Sequence, residues 1–366
     1  MNHEGLRTWI EIDKKAIQHN YEVFRGLIAP DTKFCGVVKS NAYGHGFYEY
    51  ARELAVLGID WFAVDSITEG LRLRKEGVTQ PILILGYTLP ERMQEAVDHD
   101  ISFSVSNFES LEAVEKISGA KIHIKLDTGM SRQGFLEKDQ EKLFEKLGEG
   151  DFIIEGVYTH FGAAKNPVFP ADTKRQINRF MLWRQLFEEK EYHPLFHASA
   201  TSGTLLYSEA HFDMVRIGIG LYGLWPSVET EYALKEKITL QPVLSWKTVI
   251  SEVKEVPQGE RVGYDFTETL EKDSVLALCP VGYWHGFSRR LSGIGRVYVN
   301  GKKVRVIGRV SMDIIILDVT DVPEISVGDE VELIGENVPV AGMATLDDTS
   351  YYETLTRINP LIKRLY

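Results

Sequence analysis

Between Thr8 and roughly Gly223 one pattern recurs: a short apolar run, a loop, then an amphipathic stretch. Apolar runs fall at residues 8–12, 34–38, 61–64, 82–85, 101–105, 121–126, 152–159, 195–198 and 214–217. Helix-patterned stretches at 14–28, 47–57, 68–75, 91–97, 111–117, 138–147 and 172–190 lie between them. Asn107 is a candidate cap, and Ile177, Phe180 and Met181 are expected on one helix face. Strand-then-helix units joined by short loops require parallel strands and right-handed crossovers. Eight or so units in about 220 residues suit a (β/α)8 TIM barrel. A doubly wound sheet is the alternative, but no GxGxxG opens a helix after a strand.

The pattern changes after Pro226. Runs at 243–253, 274–278, 297–299, 303–307, 314–319 and 330–334 are rich in β-branched residues and separated by Gly, Pro, Asn or Asp. They predict a mainly antiparallel β domain, with a helix returning at 345–358. The expected division is a barrel over 1–236 and a β domain over 237–366, and 366 residues are enough for two cores. A net charge of −12 argues against nucleic acid or an anionic membrane as partner. Cys35 and Cys279 sit in apolar runs, as buried thiols of a reducing compartment do. No Cys/His cluster has metal-ligand spacing, the N-terminus lacks a signal-peptide pattern, and no run is long enough to cross a bilayer. The expected location is the cytoplasm.

Barrel enzymes carry their chemistry at the carboxyl ends of the strands. Polar residues gather there: Lys39 and Tyr43 after 34–38, Lys125 and Arg132 after 121–126, His160 after 152–159, Ser199, Thr201 and Ser202 after 195–198, and Arg216 with Gly218 at the last run. Any one of these alone is more often a solvated loop residue or a helix cap. Together they suggest a site. A lysine in apolar surroundings can form a Schiff base. Thr201 at the start of a short helix, beside the glycine-flexed backbone of Gly218 and Ile219, could cradle a phosphate without a P-loop. A phosphate site beside a Schiff-base lysine suggests pyridoxal 5′-phosphate (PLP).

The segments VVKSNAYGHG, KLDTGMSRQG, YTHFG, VRIGIGLYG, VGYDFT, PVGY, GRVSMD and YYET, spread from Trp9 to Tyr366, resemble the alanine racemase family of fold-type III PLP enzymes. The resemblance implies that Lys39 is the Schiff-base lysine. Tyr43, Thr201, Tyr352 and the backbone of Gly218 and Ile219 would hold the phosphate, and Arg216 would face the pyridine nitrogen. Arg132 would contact the cofactor's phenolic oxygen and the substrate carboxylate, with a carbamylated Lys125 holding it in place. The site would be shared in a homodimer. Tyr264 of the other subunit would be the second base, linked through His160 to Arg216, with Met312 and Tyr283 lining the substrate's side. Racemisation takes a proton from one face of Cα and returns one to the other, so one acid–base group per face is the simplest arrangement. This chain departs from the family at Trp284-His285, where Ala-Asp is usual, at Ala200-Thr201, where Asn-Ser is usual, and after Tyr264. Thr201 keeps the hydroxyl. The implied reaction is interconversion of L- and D-alanine. Serine or broad-specificity racemisation, or a non-catalytic PLP-binding regulatory role, are the alternatives. A fold-related decarboxylase would present a carboxylate to the pyridine nitrogen, where this chain presents Arg216.

Overall fold

The computed structural model describes residues 3–366, and the chain divides into two compact units. One comprises Lys15–Ala42 and Phe47–Gln241; the other comprises Tyr43–Gly46, Pro242–Tyr366 and the N-terminal segment through Lys14.

The first unit is the parallel barrel. After β1 (Thr8–Ile12) the strands are β2 (Lys33–Val37), β3 (Trp61–Val64), β4 (Ile82–Ile84), β5 (Ser102–Val105), β6 (Ala120–Lys125), β7 (Phe152–Tyr158), β8 (Leu195–His197) and β9 (Met214–Ile217). Strands β2 to β8 pair in sequence order, and β9 pairs with β2. The remaining seam closes through Asp213 N–H to Phe196 O (3.0 Å), Arg216 N–H to Ser199 O (2.9 Å) and a parallel bridge between Ala200 and Arg216. Short, fully buried strands such as WFAV and SFSV are what a sheet covered on its outer face requires. One helix begins at a side-chain cap read from the sequence: Asn107 accepts from Ser110 N–H at 2.8 Å, as its position predicted. The long helix Ala171–Glu189 buries Thr173, Gln176, Ile177, Phe180, Trp183 and Phe187. Met181, expected on that face, is 53% exposed instead. It lies a 100° step from Phe180, outside a stripe that advances by threes and fours.

The second correction concerns β1. Read as the first barrel strand, it belongs to the other unit, pairing antiparallel with Leu244–Val249 and parallel with Lys363–Leu365. Trp9, Ile10 and Ile12 are fully buried. A run buried on both faces carries no period that distinguishes one sheet from another. The sheet it joins has nine strands, and apart from the Lys363–Leu365 edge its pairings are antiparallel. A small apolar cluster of Val262, Leu270, Leu276 and Ile307 packs within this unit. The helix expected at 345–358 is two short helices, Val340–Leu346 and Tyr351–Thr356, the second capped by Ser350. No helix among the described residues is long and apolar enough to cross a membrane.

Candidate active site

The chain leaves β2 through Val38, reaches Lys39 and then does something unusual. Ser40, Asn41, Ala42 and Tyr43 all have positive φ, between 50° and 57°. This is a left-handed turn built without glycine, at a cost of about 1–2 kcal/mol per residue. The surroundings hold it. Ala42 N–H donates to Val38 O (2.9 Å), and the Glu69 carboxylate accepts from both Ser40 N–H and Asp65 N–H at 2.7 Å. Strain of this kind is retained where the surroundings fix a functional geometry. The Lys39 amine meets the Asp65 carboxylate, from the end of β3, at 3.1 Å.

Strand β6 ends on Lys125, which shares its face with His123 two positions earlier. The Lys125 amine donates to Gln133 Oε1 (2.9 Å) and lies 5.5 Å from the centre of the Tyr158 ring. Burial, then the charges of Arg132, Arg216 and Lys39, push its pKa down to about 8. The loop beyond is shaped by one carboxylate. Asp127 accepts backbone N–H groups from Gly129, Met130, Ser131 and Arg132 at 2.9–3.1 Å. Burial would raise the Asp127 pKa, but these four donors hold it below the usual carboxylate value. Gly134, at φ 130°, closes the loop where a Cβ would lie 2.5 Å from Asp127 N. Arg132 is thereby fixed at the base of its side chain.

Arg216, on β9, is buried. Its guanidinium donates to Thr159 O (2.8 Å), Ala198 O (3.0 Å) and His197 Nδ1 (2.5 Å), and lies 5.1 Å from the centre of the Tyr158 ring. Burial brings its pKa down to about 10, still charged at neutral pH. The expected link from Arg216 to His160 is absent among the described hydrogen bonds, and the imidazole that Arg216 meets is His197. Burial, followed by the charges of Arg216, Arg132, Lys125 and Lys39, pushes the His160 pKa down to about 3, so that ring is neutral. Thr201, also buried, accepts Gly220 N–H on its hydroxyl at 3.3 Å. At Gly220 a Cβ would meet the Phe24 ring at 2.3 Å, so the backbone after Gly218 passes where only glycine fits. The barrel unit thus brings Lys39, Lys125, Arg132, His160 and Arg216 within electrostatic reach of one another, with Thr201 beside the backbone that follows β9.

The other expected residues belong to the second unit. Tyr43 and Tyr352 face each other with ring centres 6.1 Å apart, and burial pushes the Tyr352 phenol up. Tyr264 stands in a tight turn and is 70% exposed. That turn is tied down by Asp265 to Arg309 at 3.4 Å. Nearby in sequence, Tyr283 N–H donates to Ser311 O and Trp284 N–H to Met312 O, both at 3.0 Å. A Cβ on Gly282 would lie 2.2 Å from Ser311 O, so the two loops touch backbone to backbone. They hold up exposed Tyr283, Trp284 and Met312. Trp284 and His285, where the resemblance leads one to expect Ala-Asp, have opposite fates. Trp284 faces outward, whereas His285 is buried and its Nδ1 accepts Gly282 N–H at 3.2 Å, with Asp313 at 3.8 Å. Burial lowers the His285 pKa, so it is a neutral ring closing a turn rather than a cation.

The residues missed from the sequence are His123 and His197. Each lies two positions before a residue that was singled out, Lys125 and Ser199, and inward-facing strand residues alternate.

A parallel eight-stranded barrel with cations at its strand ends, followed by an antiparallel β unit, defines an α/β-barrel enzyme with an appended domain. Residues 12–226 match the alanine racemase N-terminal domain and residues 243–366 the alanine racemase C-terminal domain. The chain is 38% identical to an alanine racemase of Methanococcus maripaludis, covering 98% of both chains. The alanine racemase structure of Clostridium difficile 630 superposes with a TM-score of 0.94 at 32% identity, covering 99% of this chain and 96% of that one. An alanine racemase structure of Bartonella henselae, with covalently bound pyridoxal phosphate, gives a TM-score of 0.88 at 29% identity over 98% and 99% of the two chains. The chain belongs to the alanine racemase family, and its enzyme activity is alanine racemisation.

Proposed function

We propose that this chain racemises alanine with bound PLP by a two-base mechanism, in a homodimer whose sites are shared. The observation that carries the reading is the cationic cluster of Lys39, Lys125, Arg132 and Arg216 at the ends of β2, β6 and β9. That donor set fits a phosphate-bearing aldehyde and a carboxylate substrate. When bound, PLP draws electrons from the substrate's α-carbon and makes its proton removable. The Thr201 hydroxyl and the backbone at Gly218 and Ile219 hold the phosphate, and the family resemblance adds Tyr43 and Tyr352. Arg216 would face the ring nitrogen. An arginine does not readily give up a proton, so it would leave that nitrogen unprotonated and disfavour side reactions that need a stronger electron sink. Arg132 orients the substrate carboxylate. The Lys39 Nζ moves the proton on one face of Cα, and the Tyr264 hydroxyl of a second copy moves it on the other.

The exposed surface supports the shared site. Tyr264, Phe266, Tyr283, Trp284 and Met312 are each between 43% and 70% exposed in one unit of a single chain. Aromatic side chains left in water in this number mark an association surface. Two free, buried cysteines and a charge of −12 favour a cytoplasmic enzyme without nucleic-acid partners.

Lys125 is assigned a carbamate. An amine with a pKa near 8 has an appreciable neutral fraction at neutral pH, and the neutral amine is the form that adds CO2. A C–N bond forms, the nitrogen loses a proton, and the product is an anion between cations. Gln133, now an acceptor from the amine, would turn its NH2 toward the carbamate. Intact mass at neutral pH should exceed the sequence mass by one CO2, and acid should remove it; Lys125→Ala should lack the increment. An unmodified wild-type mass in bicarbonate would refute the assignment.

The functional test is a racemisation assay over a panel of L-amino acids, with and without PLP. L-Alanine should be the best substrate and PLP should be required. An apolar pocket discriminates weakly against one added hydroxyl, so L-serine is expected to be slower rather than silent. A higher kcat/KM for L-serine would transfer the assignment to serine. No racemisation of any amino acid by PLP-loaded protein would leave only a cofactor-binding role.

A further inference from the structure

We infer that Glu155 is a positioning residue for Arg216, acting across the barrel interior through His123 and His197. The inference rests on the reading that Arg216 faces the cofactor's ring nitrogen.

Arg216 carries a buried positive charge, and no carboxylate lies within ion-pair distance of it among the described residues. What it has is a chain of rings. Its guanidinium meets His197 Nδ1; His197 Nε2 meets His123 Nδ1 at 2.8 Å; and His123 Nε2 lies 3.5 Å from Glu155 Oε2. Ser102 donates its hydroxyl to the same carboxylate oxygen. These residues come from consecutive strands, β5 to β9.

Direction follows from donor chemistry. An arginine can only donate, so His197 Nδ1 accepts and its proton sits on Nε2. That proton goes to His123 Nδ1, which therefore also accepts, and the His123 proton sits on Nε2. This buried N–H makes no hydrogen bond within the chain, and the carboxylate it faces, 3.5 Å away, is that of Glu155. Every donor points from Arg216 toward Glu155, through two neutral rings. Burial lowers the pKa of both histidines. Burial would raise that of Glu155, but the contacts from His123 and Ser102 outweigh it and keep the group anionic.

The backbone is shaped to permit this. The β6–β7 register runs Ile122 to Ile154 and then His123 to Gly156, which makes Glu155 the extra residue of a β-bulge. Bulges re-aim side chains beside functional sites. Gly156 is needed where it stands, because a Cβ there would lie 2.2 Å from His123 Nδ1. Tyr158 stacks on His197 with ring centres 4.9 Å apart and planes 3° from parallel, and Trp61 meets His123 edge-on at 5.5 Å. Both ring planes are fixed. Removing the charge at Glu155 weakens each acceptor in turn and releases the Arg216 guanidinium from its set orientation.

Long-range nitrogen–proton NMR on the holoenzyme with 15N-labelled histidine reads the chain of rings directly. His123 and His197 should both carry their proton on Nε2 and stay neutral at pH 7; a proton on Nδ1 of either ring overturns the inference. Glu155→Gln should shift the His197 nitrogen signals, move the absorption maximum of the bound cofactor, and lower kcat about tenfold with KM little changed, the size of one charge-assisted hydrogen bond. Glu155→Asp, which keeps the charge, should recover most of kcat. Unchanged signals, absorption and kcat in Glu155→Gln would refute the positioning role. If wild-type protein fails to take up PLP, the proposed function falls, while the same histidine spectrum still decides the chain of rings.

Discussion

Lys39→Ala should lose racemisation, with kcat on the order of 10⁴-fold or more below wild type. The residue is asked to do two things, to hold the cofactor covalently and to move a proton on one face of the substrate, and alanine does neither. The fold should tolerate the change: the side chain is about one-third exposed and its ion pair with Asp65 is a solvated one. The strained turn that follows is held by Glu69 and Val38, not by the lysine side chain. Borohydride reduction of PLP-loaded wild type should fix the cofactor to the peptide containing Lys39, and the alanine variant should remain unlabelled there. Activity within tenfold of wild type would remove Lys39 from the mechanism.

Tyr264→Phe makes the second large effect, roughly 10²–10⁴-fold on racemisation. Only a hydroxyl is removed from a side chain that is 70% exposed in the single chain, so stability should change by less than about 0.5 kcal/mol. The sharper readout is isotopic. In D2O the variant should still exchange the α-proton of one enantiomer with retention, through Lys39, while exchange of the other is lost. Equal loss for both enantiomers would mean that one group serves both faces. Mixing Lys39→Ala with Tyr264→Phe chains should restore one complete site per mixed dimer; no recovery after proven subunit exchange would argue against sharing.

The barrel was legible because eight buried strands alternate with amphipathic helices, and the strand ends announced themselves with polar residues. What the sequence did not display falls into two kinds. A largely buried strand such as Thr8–Ile12 does not say which sheet it joins, and its partners lie more than 230 positions later in the chain. The histidines behind Arg216 sit inside a strand rather than after one, and buried polar residues on a strand reveal themselves only when the neighbouring strand is in place. The link from Arg216 to His160 was what the family resemblance implied, whereas the imidazole that hydrogen-bonds to Arg216 is His197, on the strand next to β9 across the seam. The left-handed turn at Ser40–Tyr43 had no local signal either, since none of the four residues is glycine.

The placement of β1 also bears on how the molecule is made. Thr8 hydrogen-bonds to Lys247, 239 positions later. On a ribosome adding 5–20 residues per second, the segment carrying Trp9 emerges roughly ten seconds or more before its antiparallel partner. The barrel's own strands pair with near neighbours and can assemble in that interval, except for the β2–β9 pairing that joins its ends. The nascent chain therefore carries an apolar strand with no antiparallel partner until Leu244–Val249 has been made. A chain halted before Leu244 would expose Trp9 and Ile10 as a sticky end, a natural handle for chaperones and proteases to recognise unfinished copies.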